Sequence, residues 1–229
     1  MTRQNFVSEL DKLQDDMIAL GNMVENAISS AITALKEQDL ETARVIYLND
    51  RLINEKRYQI EHDCLTVIAT QQPMARDLRL LSAILEIITE LERIGDYAKG
   101  ICHINLMLNK QPLVKPLIDI PRMADIGLDM LHRALAAFIA RDADSARLIP
   151  AEDDKVDQLY KAVYRELLEI MIADPSKIDR ANYLLWAAHN LERLADRVSN
   201  ICERIVFVVT GEMTELNQQD DQPDKTYTN

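Results

Sequence analysis

Apolar residues follow a helical period through most of the chain. From about residue 5 to 36 they recur every three or four positions, the spacing that gathers them on one face of a helix. The same spacing predicts further helices over about 40–70, 75–108, 119–140, 142–172 and 178–210. In the third helix the apolar face consists of Leu80, Ile84, Ile87, Leu91, Ile94, Ala98 and Ile101. We therefore expect an all-α protein without a sheet.

Residues that cap or interrupt helices separate these segments. Asp39 can cap the second helix, and Pro73 excludes the residue before it from a helix. Ser176 and Asp179 have the spacing of a capping box at the start of the last helix, and Gly211 has the position of its C-cap. A linker is expected over residues 110–116, which contain two prolines.

The chain also contains an internal repeat of about a hundred residues. Residues 91–96 (LERIGD) return as 191–196 (LERLAD), at an offset of 100 (192 − 92). Upstream, residues 43–46 return as 146–149, at an offset of 103 (146 − 43). We therefore predict two tandem three-helix bundles, residues 1–110 and 116–212, followed by a disordered polar tail over 213–229.

Composition narrows the class of protein. Only 5 glycines and 7 prolines occur in 229 residues, which favours long helices over many short strands. The net charge of −12 disfavours nucleic acid as a partner, because that binding depends on Lys and Arg neutralising phosphates. Three cysteines cannot all pair, so we expect reduced thiols in a cytosolic protein. Neither a signal peptide nor an apolar stretch long enough to span a membrane is expected.

Acidic pairs in the repeated motif are the best indication of function. Glu92 and Asp96 stand at positions i and i+4, so they share one face of the third helix. That face points away from the apolar stripe, towards the flank of the bundle. Glu192 and Asp196 are placed in the same way on the last helix.

A second set of acids stands level with these pairs across each helical hairpin. Asp50 lies 23 residues before Pro73 (73 − 50), and Asp96 lies 23 after it (96 − 73). Asn54 and Glu92 both lie 19 residues from the same proline (73 − 54; 92 − 73). The hairpin therefore predicts an Asp-xxx-Asn pair facing a Glu-xxx-Asp pair.

The second repeat has the same arrangement around Pro175, with Asp153 and Asp157 facing Asp196 and Glu192. Facing carboxylates repel one another, and a hard cation with oxygen ligands, such as Mg, Mn or Fe rather than Zn, would offset that repulsion. The candidate metal ligands are Asp50, Glu92, Asp96, Asp153, Asp157, Glu192 and Asp196. Because Asn54 offers only a neutral oxygen, we expect weaker binding in the first repeat.

The acidic pairs also fit a protein without a regulatory metal site. Nearby cations could neutralise them as surface ion pairs, the candidates being Arg44, Arg51, Arg147 and Lys155.

A carboxylate-bridged metal-dependent hydrolase or oxidase is the alternative function, and a purely structural bundle is a third. The chain contains no Glu-x-x-His motif, phosphate-binding glycine loop or nucleophile signature, so no catalytic residue is assigned.

The repeated Glu-Arg-Ile/Leu-x-Asp segments, together with residues 71–79 (QQPMARDLR), resemble the PhoU family of phosphate-transport regulatory proteins. The resemblance covers about residues 5–211, and the order of charges suggests an enterobacterial type. It implies two three-helix bundles related by a pseudo-twofold axis, with metal ions or clusters on the Glu/Asp-xxx-Asp motifs.

The resemblance also implies a function. A PhoU-type protein would be a non-enzymatic cytoplasmic adaptor that represses the phosphate-starvation response and modulates phosphate ABC transport when phosphate is plentiful. Its partners would be the ATPase subunit of the phosphate ABC transporter and a membrane sensor histidine kinase, and we expect a homodimer. It would reach the inner membrane only through those partners.

Overall fold

A computed structural model describes residues 3–216, which are helical and contain no strand. The helices are α1 (Arg3–Glu37), α2 (Leu40–Gln71), α3 (Arg76–Leu108), α4 (Asp119–Ala140), α5 (Ala143–Leu148), α6 (Asp153–Ala173) and α7 (Ile178–Thr210). Two short 3-10 turns cover Ile149–Glu152 and Pro175–Lys177. Helices α1 to α3 form one bundle, and α4 to α7 form the other. The all-α architecture predicted from the sequence is confirmed.

The apolar stripe predicted in α3 lies in the core of the first bundle. All of its members are buried, from Leu80 at 6% exposed to Leu91 at 0%. The corresponding positions of α7, such as Leu191, Leu194 and Val198, are also fully buried. These two helices are therefore central to their bundles, which fixes the direction in which their acidic pairs point.

The helix predicted over residues 142–172 is wrong in one respect, because it is interrupted. α5 ends at Leu148, a 3-10 turn follows, and α6 begins at Asp153. Pro150 lies in that turn. It has no backbone N–H to donate, and its ring collides with the preceding turn of an α-helix. Pro150 stands where the first repeat has Tyr47 (150 − 47 = 103), so the second repeat alone has this break.

Equivalent aspartates cap the second helix of each repeat. The Asp39 carboxylate accepts hydrogen bonds from the backbone N–H groups of Glu41 and Thr42, at 3.0 and 3.1 Å. The Asp142 carboxylate caps α5 in the same way. These interactions satisfy N–H groups that have no partner in the first turn of a helix. The predicted role of Asp39 is confirmed.

The two predictions for the ends of α7 have different outcomes. Gly211 closes the helix with φ of 83°, as predicted. The capping box of Ser176 and Asp179 is wrong. The Ser176 hydroxyl instead donates to the Asp174 carboxylate at 2.7 Å, which also accepts the Ser176 backbone N–H at 3.1 Å. Asp174 therefore caps the 3-10 turn that precedes α7, because Pro175 starts that turn two positions earlier than a cap at Ser176 would place it (176 − 174).

The two bundles pack against each other mainly through α3 and α7, which run antiparallel. Near one end of the contact, Nε of Arg204 lies 3.0 Å from the Glu86 carboxylate in an ion pair. Towards the other end, a Cβ atom added to Gly100 would lie 2.9 Å from the side-chain nitrogen of Asn190. The absence of a side chain at Gly100 therefore permits the close approach of the two helices there.

A polar network lies in the middle of this contact. Arg197 donates to the Tyr97 hydroxyl at 3.2 Å and to the Glu90 carboxylate at 3.2 Å. The Arg193 guanidinium stands over the Tyr97 ring, 5.6 Å from its centroid. Tyr97 and Arg197 are equivalent positions of the two repeats (197 − 97 = 100). Because equivalent residues touch, the pseudo-twofold axis passes beside them.

After α7 the chain stays close to the second bundle. The backbone N–H of Leu216 donates to the Glu203 carboxylate at 3.0 Å. The predicted polar tail begins in this stretch, and its residues 217–229 lie outside the described part of the chain. No helix within residues 3–216 has the length and apolar character required to cross a membrane.

Candidate functional site

The first acidic cluster, Asp50, Asn54, Glu92 and Asp96, lies on the flank of the first bundle between α2 and α3. Asp50 is only 5% exposed, whereas the side chains of Glu92 and Asp96 are 19% and 38% exposed. The Asn54 amide donates to Oδ2 of Asp50 at 3.1 Å. The predicted flank position is thus correct for Glu92 and Asp96, while Asp50 reaches further into the protein.

The register of the α2–α3 hairpin differs by two residues from the count around Pro73. That count places Arg51 opposite Gly95, but a Cβ atom added to Gly95 would lie 3.2 Å from Ile53. The loop runs over residues 72–75, so its centre lies just beyond Pro73. As a result, the turn of α3 that carries Lys99 comes close to Asp50.

Lys99 is the functional-site residue that the sequence reasoning missed. Its ammonium group donates to Oδ2 of Asp50 at 2.8 Å, the same oxygen that accepts from Asn54. It also stands over the Tyr47 ring, 5.4 Å from the centroid. The hydrogen bond to Asp50 raises the pKa of Lys99, which keeps the amine charged. A signal was present in the sequence, because Lys99 follows Asp96 by three residues and so shares its face.

The other cations at this cluster are also not the ones expected. Arg93 lies 3.3 Å from Asp96 and 3.7 Å from Glu92. The four cations proposed from the sequence form ion pairs with other acids of their own segments: Arg44 with Glu41, Arg51 with Glu55, Arg147 with Asp144, and Lys155 with Glu152.

Electrostatic repulsion within the first cluster persists despite these cations. Burial raises the pKa of Glu92, and the nearby Asp96 carboxylate raises it further. Asp50 acts in the same direction, while Arg93 and Arg57 oppose it. The ionised form of Glu92 is therefore disfavoured where it lies.

The second acidic cluster, Asp153, Asp157, Glu192 and Asp196, lies between α6 and α7. Asp153 is 6% exposed, close to the value for its counterpart Asp50. Lys161 lies 3.7 Å from Asp157. The break at Pro150 places Asp153 at the first position of α6, whereas Asp50 lies within a continuous helix.

A histidine and a tyrosine adjoin the second cluster. Nδ1 of His189 lies 3.2 Å from the Glu192 carboxylate, and the His189 ring is 6.0 Å from the Tyr160 ring. Burial raises the pKa of Tyr160, and Glu192 contributes to that rise. The first repeat has Thr89 at the position of His189 (189 − 89 = 100), so this histidine belongs to the second repeat alone.

The chemistry of the donors decides how well each cluster fits a hard cation. The second cluster supplies four carboxylates, the ligands that Mg, Mn and Fe ions prefer. The first supplies three carboxylates, a carboxamide and an ammonium group, and an ammonium has no lone pair to coordinate a metal. Within residues 3–216 no three His, Cys, Asp or Glu side chains are grouped closely enough to hold a metal as they stand. Metal binding therefore stays a prediction.

The cysteines do not supply a nucleophile. Cys64, Cys102 and Cys202 are buried and unbridged. Burial raises the pKa of each thiol to about 12, so all three are protonated at neutral pH. Because the thiolate is the reactive form, these groups act as small apolar side chains in the core.

Comparison with known proteins supports the repeat. The PhoU domain model matches residues 17–104 and again 120–205. A PhoU homolog of Clostridium acetobutylicum, described as a phosphate-specific transport system accessory protein, is 36% identical over 218 residues, or 95% of this chain and 100% of its own length. The accessory protein PhoU of Escherichia coli K12 is 38% identical over 207 residues, or 90% of this chain and 86% of its own. The identities to the Clostridium and Escherichia proteins are similar, so they do not distinguish the expected enterobacterial type from other PhoU proteins.

Solved structures agree with this fold. The crystal structure of the phosphate transport system regulatory protein PhoU from Streptococcus pneumoniae superposes with a TM-score of 0.85 at 33% identity, covering 91% of this chain and 99% of the other. PhoU from Pseudomonas aeruginosa gives 0.86 at 32% identity, covering 90% and 100%.

Proposed function

The chain belongs to the PhoU family, and on that premise we propose that it is an accessory and regulatory protein of a phosphate transport system. The observation that carries this proposal is the match of named relatives across 90% or more of the chain, through both repeats. In this role the protein is a cytoplasmic adaptor. It represses the phosphate-starvation response and modulates phosphate ABC transport when phosphate is plentiful.

The adaptor acts by contact rather than by turnover. Its partners in this proposal are the ATPase subunit of the phosphate ABC transporter and a membrane sensor histidine kinase, and it works as a homodimer. The partners alone bring it to the inner membrane. The net charge of −12 disfavours nucleic acid as a further partner.

Metal binding forms part of the proposal and centres on the second repeat. Asp153, Asp157, Glu192 and Asp196 would hold a Mg, Mn or Fe ion, which would draw α6 and α7 together by neutralising their carboxylates. In the first repeat the corresponding acids form a poorer donor set, because the Lys99 ammonium bonds to Asp50.

A reporter for phosphate-starvation genes in a deletion strain tests the function. We expect the reporter to stay active in rich phosphate without the protein and to be repressed when the wild-type gene is restored. Glu192→Ala plus Asp196→Ala, restored in the same way, shows whether the second cluster matters for repression. Normal repression in the deletion strain would overturn the functional assignment, whatever the metal measurements show.

A further inference from the structure

The first acidic cluster already contains a positive charge supplied by the chain. Lys99 bonds to Asp50 at 2.8 Å, and Asp50 is the deepest acid of the cluster, only 5% exposed. Asn54 donates to the same carboxylate oxygen at 3.1 Å. This oxygen, Oδ2, therefore accepts two hydrogen bonds from within the protein.

The other acids of the cluster also have cations beside them. Three carboxylates, those of Asp50, Glu92 and Asp96, face three cationic side chains. Lys99 bonds to Asp50, and Arg93 lies within 4 Å of both other acids. Arg57, which also pairs with Glu61, acts on Glu92 from α2. Lys99 and Arg93 therefore offset part of the negative charge of the cluster without a bound ion.

The repeats differ at the position of this lysine. Ser199 is the counterpart of Lys99 (199 − 99 = 100), whereas Asp50, Glu92 and Asp96 all correspond to acids in the second repeat. Serine cannot supply a positive charge from that position. The lysine of the first repeat therefore adds a positive charge beside acids that otherwise match those of the second repeat.

A metal ion would have to compete with the lysine for Asp50. Coordination by Oδ2 requires the ammonium to leave, and the displaced charge would stay tethered beside the incoming dication. Repulsion between like charges at short range is large where burial lowers the effective dielectric constant. We infer that Lys99 takes the place of a metal ion in the first repeat, so that the first cluster is assembled without metal.

This inference rests on the proposed function in one respect, namely that an acidic cluster of this kind binds a metal when no ammonium fills it. It goes beyond the family pattern, because it assigns different means of charge neutralisation to the two repeats. The consequence is that a single substitution, Lys99→Ser, should convert the first cluster into a metal site.

The test uses the full chain with the second cluster disabled by Glu192→Ala plus Asp196→Ala. Metal-free protein is titrated with Mn²⁺, and binding is followed by calorimetry and by the shift of the unfolding temperature. We expect no Mn²⁺ binding that depends on Asp50 while Lys99 is present. We expect Lys99→Ser to raise the affinity at least about tenfold, since the net ligand charge becomes more negative. Asp50→Asn should abolish that gain.

Two control variants separate charge from general loosening. Lys99→Arg keeps a cation and should not bind Mn²⁺. Lys56→Ser breaks another partly buried ion pair, in which Lys56 lies 2.5 Å from Asp16, away from the cluster. It should also gain no affinity.

Each outcome of the first-repeat experiment decides the inference. Mn²⁺ binding that needs Asp50 while Lys99 is present would overturn it, as would a folded Lys99→Ser protein without added affinity. If Lys99→Ser folds only with Mn²⁺, that rescue supports the inference, and failure of Mn²⁺ to rescue it overturns it. If the proposed second site does not bind metal, wild type and the Glu192→Ala plus Asp196→Ala protein will bind Mn²⁺ equally. That result is distinct from every outcome for the first repeat.

Discussion

Arg197 donates a hydrogen bond to the hydroxyl oxygen of Tyr97, its own counterpart in the first repeat, at 3.2 Å. The same guanidinium reaches Glu90 at 3.2 Å. Both Arg197 and Glu90 are largely shielded from solvent, with side chains 26% and 19% exposed. The two bundles are therefore joined at their axis by charged and hydrogen-bonded groups in addition to apolar packing.

Removing the tyrosine hydroxyl should weaken this junction measurably. We expect Tyr97→Phe to lower the free energy of unfolding by about 1 kcal/mol, because the hydrogen bond to Arg197 is lost while the ring beneath Arg193 stays. Urea unfolding measures the change. Tyr58→Phe is the matched control. The Tyr58 side chain is exposed, and the Arg57 guanidinium stands over its ring, 5.0 Å from the centroid. A Tyr97→Phe protein as stable as wild type would contradict the role of this bond.

The second cluster should lose its metal without losing its fold. Glu192→Ala plus Asp196→Ala removes two of the proposed ligands, which lie off the apolar stripe, so no core cavity is created. We expect elemental analysis to show less bound metal and circular dichroism to show unchanged helix content. Asp125→Ala plus Asp129→Ala is the control, because these acids form an exposed pair of the same spacing on α4. Equal metal content in all three proteins would refute the ligand assignment.

The raised pKa of Glu92 gives a stability effect with a defined pH dependence. In metal-free protein at pH 7, Glu92→Gln should raise the free energy of unfolding by roughly 0.2–0.5 kcal/mol, because burial of a charge and repulsion from Asp96 are both removed. The folded-state pKa of Glu92 lies above the unfolded value of 4.5, so protonation relieves the same repulsion in wild type. The gain should be complete above the folded pKa and disappear as the pH falls to 4.5.

Unfolding curves of wild type and Glu92→Gln across this pH range make the measurement. Glu55→Gln is a suitable control, since Glu55 pairs with Arg51 on the exposed side of α2 at 3.6 Å. It should be neutral or slightly destabilising at pH 7. If Glu92→Gln proved equally stabilising at every pH, the ionised charge of Glu92 would not be the cause of the effect.

Asn54 should contribute to the stability of the first cluster through its amide. Asn54→Asp replaces the hydrogen bond to Asp50 with a second carboxylate one helical turn away. We expect a loss of about 1 kcal/mol in metal-free protein at pH 7. In the Lys99→Ser protein the same substitution should instead strengthen Mn²⁺ binding, because it adds a charged ligand. Unfolding and Mn²⁺ titration of the two proteins test both signs, with Asn49→Asp as an exposed control on α2.

Helical periodicity predicted the fold well because burial and period are physically linked. Leu80 to Ile101 recur at the spacing that forms one helix face, and that face is the core. The interruption at Pro150 was missed because the apolar pattern continues through it. Ala146, Ile149 and Val156 are all buried on either side of the break. Periodicity records which residues face inward, but not whether every backbone hydrogen bond can form.

The site was predicted less completely. Comparing the repeats identified the acids, since each has a counterpart, but the same comparison passed over Lys99, which has none. The register of α2 against α3 also depended on where the loop centre falls. A shift of two residues decided whether Asp50 meets another acid or a lysine. Such a shift is set by loop geometry and by the packing of Gly95 against Ile53, which a count from one proline does not contain.

The contact between Tyr97 and Arg197 also constrains how such a molecule could arise by gene duplication. In a symmetric dimer of single repeats, the residue at this position would face its own copy. Two arginines there would repel each other, and two tyrosines could not reproduce the ion pair with Glu90. Fusion into one chain frees the two copies to diverge, so that one donates and the other accepts. Neither half of the present chain can therefore replace the other at the axis. A dimer of either half alone would lack this interface, which needs both halves.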